Sequence, residues 1–359
     1  MQLTSKTGQV SWKSRAIAAA PFVSDSLAAL PAARSGACPL GIGMHSYGSA
    51  WRAVNEGKPG VRFTGAFSFL EYAHSLGAAG VQVSIRRDEL ADTGRIRDRS
   101  KALGLMFESQ LALPRQETDL ERFDAELKTI RSAGAKVART AVLGTRRYET
   151  LKSAAECREF KEHGARSLAL AEPSLKRHGV RLAVENHKDW LLPELVELLR
   201  RLGSEWVGAC VDTGNSLALL EDPYEVVEAL APFAVTTHIK DMGVREHGRG
   251  FLLSEVPIGE GFLDVPRMIG ALRKARPGIA LNLEMITRDP LQIPCLTRGY
   301  WATLEEMPGK QLAQALAQVK KHASPKPLPR VAGLTAAKQL ELEDNNVRQC
   351  LRWASEKVG

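Results

Sequence analysis

The chain has 359 residues, 44% hydrophobic and 25% charged, the make-up of an ordinary globular protein with room for one large domain plus extensions. Its net charge is +8, but the basic residues alternate with acidic ones, as in LKTIRSAGAK and ECREFKEHGARS, so they read as a solvated helical surface and not as a nucleic-acid footprint. The five cysteines form no CxxC pair, which excludes a disulfide framework or a zinc ribbon, and no run approaches the roughly 20 apolar residues that span a bilayer.

At the N-terminus, Lys13 and Arg15 precede the apolar run from Ala16 to Val23, and small residues around PAARSGA follow. That is the order of a secretory leader, although Asp25 and two prolines interrupt it. Residues 1 to 37 therefore read either as an export signal to the periplasm or as a disordered leader on a cytoplasmic protein, and they stay outside the fold reading.

From there strands and helices alternate. PLGIGMHSY, residues 39 to 47, is the first predicted strand, running into His45; residues 63 to 77 carry apolar side chains at helical spacing and stop on Gly77. AAGVQVSI is the second strand, DELADTGRIRDRSKALG a polar helix, LGLMFESQLAL the third strand with Glu108 near its end, and AKVARTAVLG the fourth. A long helical stretch from Arg146 stops at Gly179, before LAVENHKDW, the fifth strand. WVGACVDTGN is the sixth strand, and DPYEVVEALAPF a helix begun by a capping Asp222 and a proline. AVTTHIKD is the seventh, and IALNLEMI the eighth. Between those two, residues 242 to 264 are glycine-rich and too long for an ordinary connection, so they read as a lid or substrate-binding loop. Eight such alternations predict a (β/α)8 barrel over residues 38 to 322, with 301 to 322 as its last helix. A proline-rich linker, SPKPLPR, and one more amphipathic helix would fill 323 to 359 and pack across the barrel or a partner subunit.

Four of these strands end in the same way: an apolar run, then a side chain able to bind a metal, then a loop. Glu185, Asp212, His238 and Glu284 are separated by 27, 26 and 46 residues, and a closed barrel would gather them at one mouth. Three carboxylates and one imidazole make a hard, oxygen-rich set, suited to one divalent cation, Mn²⁺ first and Mg²⁺, Co²⁺ or Zn²⁺ next.

The motifs VENH, VDTGN, THIKD and LEMI, in that order, resemble the xylose isomerase-like barrel superfamily, in particular its sugar phosphate isomerase/epimerase branch, over residues 39 to 300. The resemblance implies that these four residues ligate the cation and that a ketose or keto-sugar chelates it. It further implies isomerase or epimerase chemistry, in which Glu185 and Glu284 exchange a proton on carbon next to a carbonyl. Around them, His187 falls on the same side as Glu185 by strand alternation and is a substrate-binding candidate. Lys240 and Asp241 are candidates for sugar hydroxyls, and Arg288 for an anionic or polyhydroxy end. His45, Glu108 and Arg139 stand near the ends of the first, third and fourth strands, where barrel sites collect polar contacts. The expected partner is a small carbohydrate, with no nucleic acid and no membrane, and the chain is a possible homo-oligomer.

Three other readings share these residues. A lyase or dehydratase on a keto-sugar or inosose would use the same cation and base and then expel a leaving group. A barrel-type apurinic endonuclease would need three zinc ions and a histidine three residues after Asp212, where this chain has Asn215. A non-catalytic sugar-binding barrel would have no need of both carboxylates.

Overall fold

The computed structural model describes residues 38–304 and 306–358, and the expected leader lies outside the described residues. The strands are β1 Leu40–Gly43, β2 Gly80–Gln82, β3 Met106–Gln110, β4 Val137–Thr140, β5 Arg181–Glu185, β6 Val207–Asp212, β7 Ala234–Ile239, β8 Asp241–His247, β9 Gly250–Val256, β10 Leu281–Leu283 and β11 Leu291–Ile293. Eight of them close a parallel barrel in the order β1-β10-β7-β6-β5-β4-β3-β2. The remaining three form a separate antiparallel sheet, β11-β9-β8. The (β/α)8 expectation is met.

The helices are α1 Gly48–Asn55, α2 Ala66–Ser75, α3 Thr93–Leu103, α4 Leu120–Ser132, α5 Arg147–Thr150, α6 Ala154–His178, α7 Leu192–Leu202, α8 Pro223–Leu230, α9 Val265–Ala275, α10 Gly309–Lys321 and α11 Ala336–Lys357. Local chemistry sets their ends. Asp222 accepts from the Tyr224 and Glu225 amides at the start of α8, with Pro223 in its first turn. The long α6 stops on Gly179, whose φ of 62° no side chain with a Cβ would adopt cheaply. None of the described helices is long and apolar enough to cross a membrane.

Two expectations change. Residues 242 to 264 are not an open loop: β8 and β9 pair over seven positions, β11 adds a third strand, and Val244, Phe251, Leu253 and Ile258 are buried. Asp241, expected to meet sugar hydroxyls, instead accepts backbone N–H groups from Met242, Gly259, Gly261 and Leu263, and so ties the end of this insertion to its beginning. The helix at 309–321, expected as the last of the barrel, packs on β8 and β9. The place of the eighth barrel helix falls to α11. Its Glu343 accepts from the Ser49 and Ala50 amides at the start of α1, its Asp344 accepts from Tyr47 and Tyr72, and the Val358 carbonyl takes an Arg273 proton from α9.

All five cysteines are buried free thiols. Cys38 precedes β1, Cys157 lies on α6, Cys210 on β6, Cys295 just past β11 and Cys350 on α11.

Candidate metal centre

Parallel strands deliver their C-terminal ends to one face, and the register puts Asp212 of β6 beside His238 of β7. Glu185 closes β5, and Glu284 follows β10, its amide bonded to the Ile239 carbonyl. One donor atom from each of the four residues lies within 4.8 Å of all the others, and all four side chains are buried. His238 Nδ1 stands 3.2 Å from Glu284 Oε1, 3.5 Å from Glu185 Oε2 and 3.9 Å from Asp212 Oδ2. Among the described residues this is the one cluster of such groups able to hold a metal ion.

The donors fit a divalent cation. His238 Nε2 donates to Gln82 Oε1 at 2.7 Å, and the Gln82 amide is turned that way because its nitrogen donates to Glu108 Oε2 at 3.0 Å. With Nε2 engaged, the Nδ1 lone pair faces the three carboxylates and has no hydrogen-bond partner, while Asp212 Oδ2 has the Lys240 ammonium beside it at 2.8 Å. Asp212 Oδ1 is fixed by the amides of Gly214 and Asn215, each at 2.8 Å. Asn186 bridges the two strand ends, accepting from the Asp212 amide and donating to the Asp212 carbonyl.

Cations fix the two glutamates. Arg139 bonds Glu185 Oε2 through Nε at 2.6 Å and also through Nη2, while Asn215 Nδ2 donates to Oε1 at 2.9 Å. Lys240 Nζ lies 2.5 Å from Glu284 Oε2 and 2.8 Å from Asp212 Oδ2. A Cβ at position 214 would come within 2.8 Å of the Lys240 stem, so glycine there lets the lysine through. Burial opposes ionisation of Glu185, but Arg139 and His238 outweigh it and hold its carboxyl well below the usual range. His238 and Lys240 overcome burial at Glu284 in the same way. Burial draws His238 downward, yet the negative groups around it win and raise its proton affinity, so a proton and a metal ion compete for the same nitrogen.

The remaining predicted residues separate. His45 Nε2 donates to Gln110 Oε1 at 3.0 Å, and His187 has an unbonded Nδ1; burial lowers both imidazoles, His187 to about 3, so both are neutral near pH 7. These two, with Gln110 and Arg139, are only half-buried and form the open side of the mouth. Arg288 pairs with Glu255 of β9 at 2.5 Å. Glu108 is not at the mouth. Its Oε2 accepts from Gln82, Thr236 and Asn282 inside the barrel, one layer below the four ligands, and so it holds the Gln82 amide in place.

Six residues of the site carried no role in the sequence analysis: Gln82, Gln110, Asn186, Lys188, Asn215 and Glu255. Gln82 left a signal, a lone polar side chain in the otherwise apolar GVQV. Asn215 left another, one helical turn past Asp212. Glu255 left none.

The profile of the xylose isomerase-like TIM barrel matches residues 70–321. The chain belongs to that family. It is 25% identical over 240 residues to the 3-oxo-isoapionate decarboxylase of Pectobacterium atrosepticum, covering 65% of this chain and 81% of that protein. Its fold is similar to that of D-psicose 3-epimerase, at 14% identity and a TM-score of 0.54, with 82% of this chain and 93% of that one covered. It is also similar to a probable 3-DHS dehydratase of Bacillus anthracis, at 14% identity and a TM-score of 0.53, over 75% and 98% of the two chains. These members of the family are enzymes, and their reactions differ.

Proposed function

We propose that this protein is a divalent-metal-dependent isomerase or epimerase acting on a ketose or keto-sugar by proton transfer at the carbon beside the carbonyl. The observation that carries the reading is the closed set of Glu185, Asp212, His238 and Glu284, with the free nitrogen of His238 aimed among the carboxylates by Gln82 and Glu108. The donor set suits Mn²⁺ best, with Mg²⁺, Co²⁺ or Zn²⁺ as alternatives. A cation held there would draw electrons from a substrate carbonyl and make the neighbouring C–H acidic. Glu185 and Glu284 come from β5 and β10, with β6 and β7 between them, so they flank the donor set from two sides. Both are held ionised by their cationic neighbours and are ready to accept a proton; His187 and His45, neutral near pH 7, supply donors and acceptors for hydroxyl groups on the open side.

A second reading is decarboxylation of a 3-oxo sugar acid, favoured by the relative from Pectobacterium atrosepticum. Loss of carbon dioxide needs no base at the start, only a proton donor afterwards, and it suits glutamates clamped by Arg139 and Lys240.

The purified protein is expected to take up about one divalent cation per chain, and Asp212→Ala or His238→Ala to lose it while staying folded. Three zinc ions per chain, or none after reconstitution, would contradict the site. With ketoses, inososes and 3-keto-glycosides in D₂O, the isomerase reading expects deuterium at the carbon beside the carbonyl. Glu185→Gln or Glu284→Gln should slow turnover by at least two orders of magnitude, the scale of general-base catalysis. Labelled carbon dioxide released from a 3-oxo sugar acid, without exchange into neutral ketoses, would decide for the second reading.

A further inference from the structure

Lys188 is the one basic side chain of this region whose charge the protein does not answer. It is 2% exposed, and its Nζ donates to the neutral side-chain oxygen of Asn215. Among the described residues no carboxylate lies within ion-pair distance of it: Glu255 is taken by Arg288, and Asp212 and Glu284 by Lys240. Its nearest charges include two more cations, Lys240 and Arg288, beside Glu255 and Asp212. A buried ammonium among like charges is costly unless an anion comes to it.

The charge of the whole site points the same way. Arg139, Lys188, Lys240 and Arg288 equal in number Glu185, Asp212, Glu255 and Glu284, but Lys240 bridges two of the carboxylates and Lys188 pairs with none. The two other carboxyls nearby, Glu108 and Asp189, are pushed upward by burial, Asp189 to about 7, toward the neutral acid. A divalent cation at the four ligands would therefore leave positive charge in excess within a buried space.

We propose that the substrate of this site is a sugar acid, with its carboxylate received by the buried Lys188 ammonium and its keto end directed to the Glu185, Asp212, His238 and Glu284 cluster. This deepens the proposed function and rests on its reading of the cluster as a metal-assisted keto-sugar site; it holds for proton transfer and for decarboxylation alike. Burial, then the charge of Lys240, draws the lysine down to about 8, so it remains mostly charged near pH 7, and an arriving carboxylate would raise it again.

The test is calorimetric titration of the full-length, Mn²⁺-loaded protein with D-erythronate and, separately, with erythritol, its uncharged counterpart. Erythronate is expected to bind at least ~10-fold more tightly. Lys188→Met, which keeps volume and removes a buried charge, should cost erythronate about 10- to 100-fold, the loss of one charge-assisted contact, and leave erythritol and Mn²⁺ affinities unchanged. Lys188→Arg should recover part of the loss. Equal binding of the two probes overturns the proposal. So does a preference for erythronate that survives Lys188→Met, because the cation alone would then hold the acid. A loss that falls equally on Mn²⁺ also overturns it, because the lysine would then act only through Asn215 on Glu185. If wild-type protein turns over neutral ketoses and ignores erythronate, the carboxylate proposal fails while the proposed function stands; if it takes up no divalent cation, both fail together.

Discussion

The tautomer of His238 is decided on the far side of the barrel lumen. Gln82 belongs to β2 and Glu108 to β3, yet both reach across to β7, where Glu108 also takes the Thr236 hydroxyl. Gln82→Leu should therefore lower divalent-cation affinity about 10- to 100-fold with little change in melting temperature, the usual consequence of removing the partner of a ligating histidine. Titration with Mn²⁺ reads the first quantity and thermal unfolding the second; unchanged affinity would mean that the carboxylates alone orient the imidazole. The same residues show what the sequence could and could not disclose. Each of the four ligands stands at a strand end after an apolar run, a pattern visible within a dozen residues. The partners Gln82, Asn215 and Glu255 matter only because of strands that meet in space, and Glu108 was placed at the mouth because sequence spacing does not tell one interior layer from the next.

At the scale of elements, the insertion between β7 and α9 departs most from what its sequence suggested. Its glycines read as a loop, but its two halves pair as β8 and β9, from Asp241 opposite Val256 to His247 opposite Gly250, with β11 arriving from beyond β10. No periodicity within 242 to 264 discloses that third strand. Asp241 holds the insertion with four backbone donors, so Asp241→Ala should strand the buried amides of Met242 and Leu263 at about 1–3 kcal/mol each. Limited proteolysis checks this: the wild type should resist cleavage between 242 and 264, and the variant should be cut there. Another junction responds to pH. Glu221 accepts from the Leu192 amide at the start of α7, and burial pushes its carboxyl up to about 8. The unfolded chain ionises near the ordinary glutamate value while the folded one stays neutral, so its share of stability is full at low pH and is lost as pH rises toward about 8, at roughly 1.4 kcal/mol per pH unit. Glu221→Gln should thus raise the melting temperature at pH 8 and not at pH 5; a larger gain at pH 5 would reverse the assignment.

For the molecule as a whole, the alternation of strands and helices was legible because short apolar runs alternate with longer stretches of helical spacing, several of which stop on a glycine such as Gly179 or Gly203. The closing of the ring was not. A helix after a proline-rich linker looks like an appendage, whereas α11 buries Val347, Cys350 and Leu351 and bonds the start of α1 and the end of α9. Removing residues 334 to 359 should leave a protein that has lost fixed tertiary packing, seen as a weakened near-ultraviolet circular dichroism signal; a native-like spectrum would mean that seven helices suffice.

The buried thiols make that seam observable in the intact chain. Burial raises the pKa of all five cysteines, so a thiol reagent meets almost no thiolate until a segment opens. Cys38 and Cys350 both lie along α11, the first near Ser355 and the second accepting from the Ile258 amide, while Cys210 sits directly below the ligands on β6. Timed alkylation then works as a clock with distinct hands. Should Cys38 and Cys350 be modified together and well ahead of Cys210, the last helix leaves the ring before the barrel opens; should all five react at one rate, the protein opens only as a single unit.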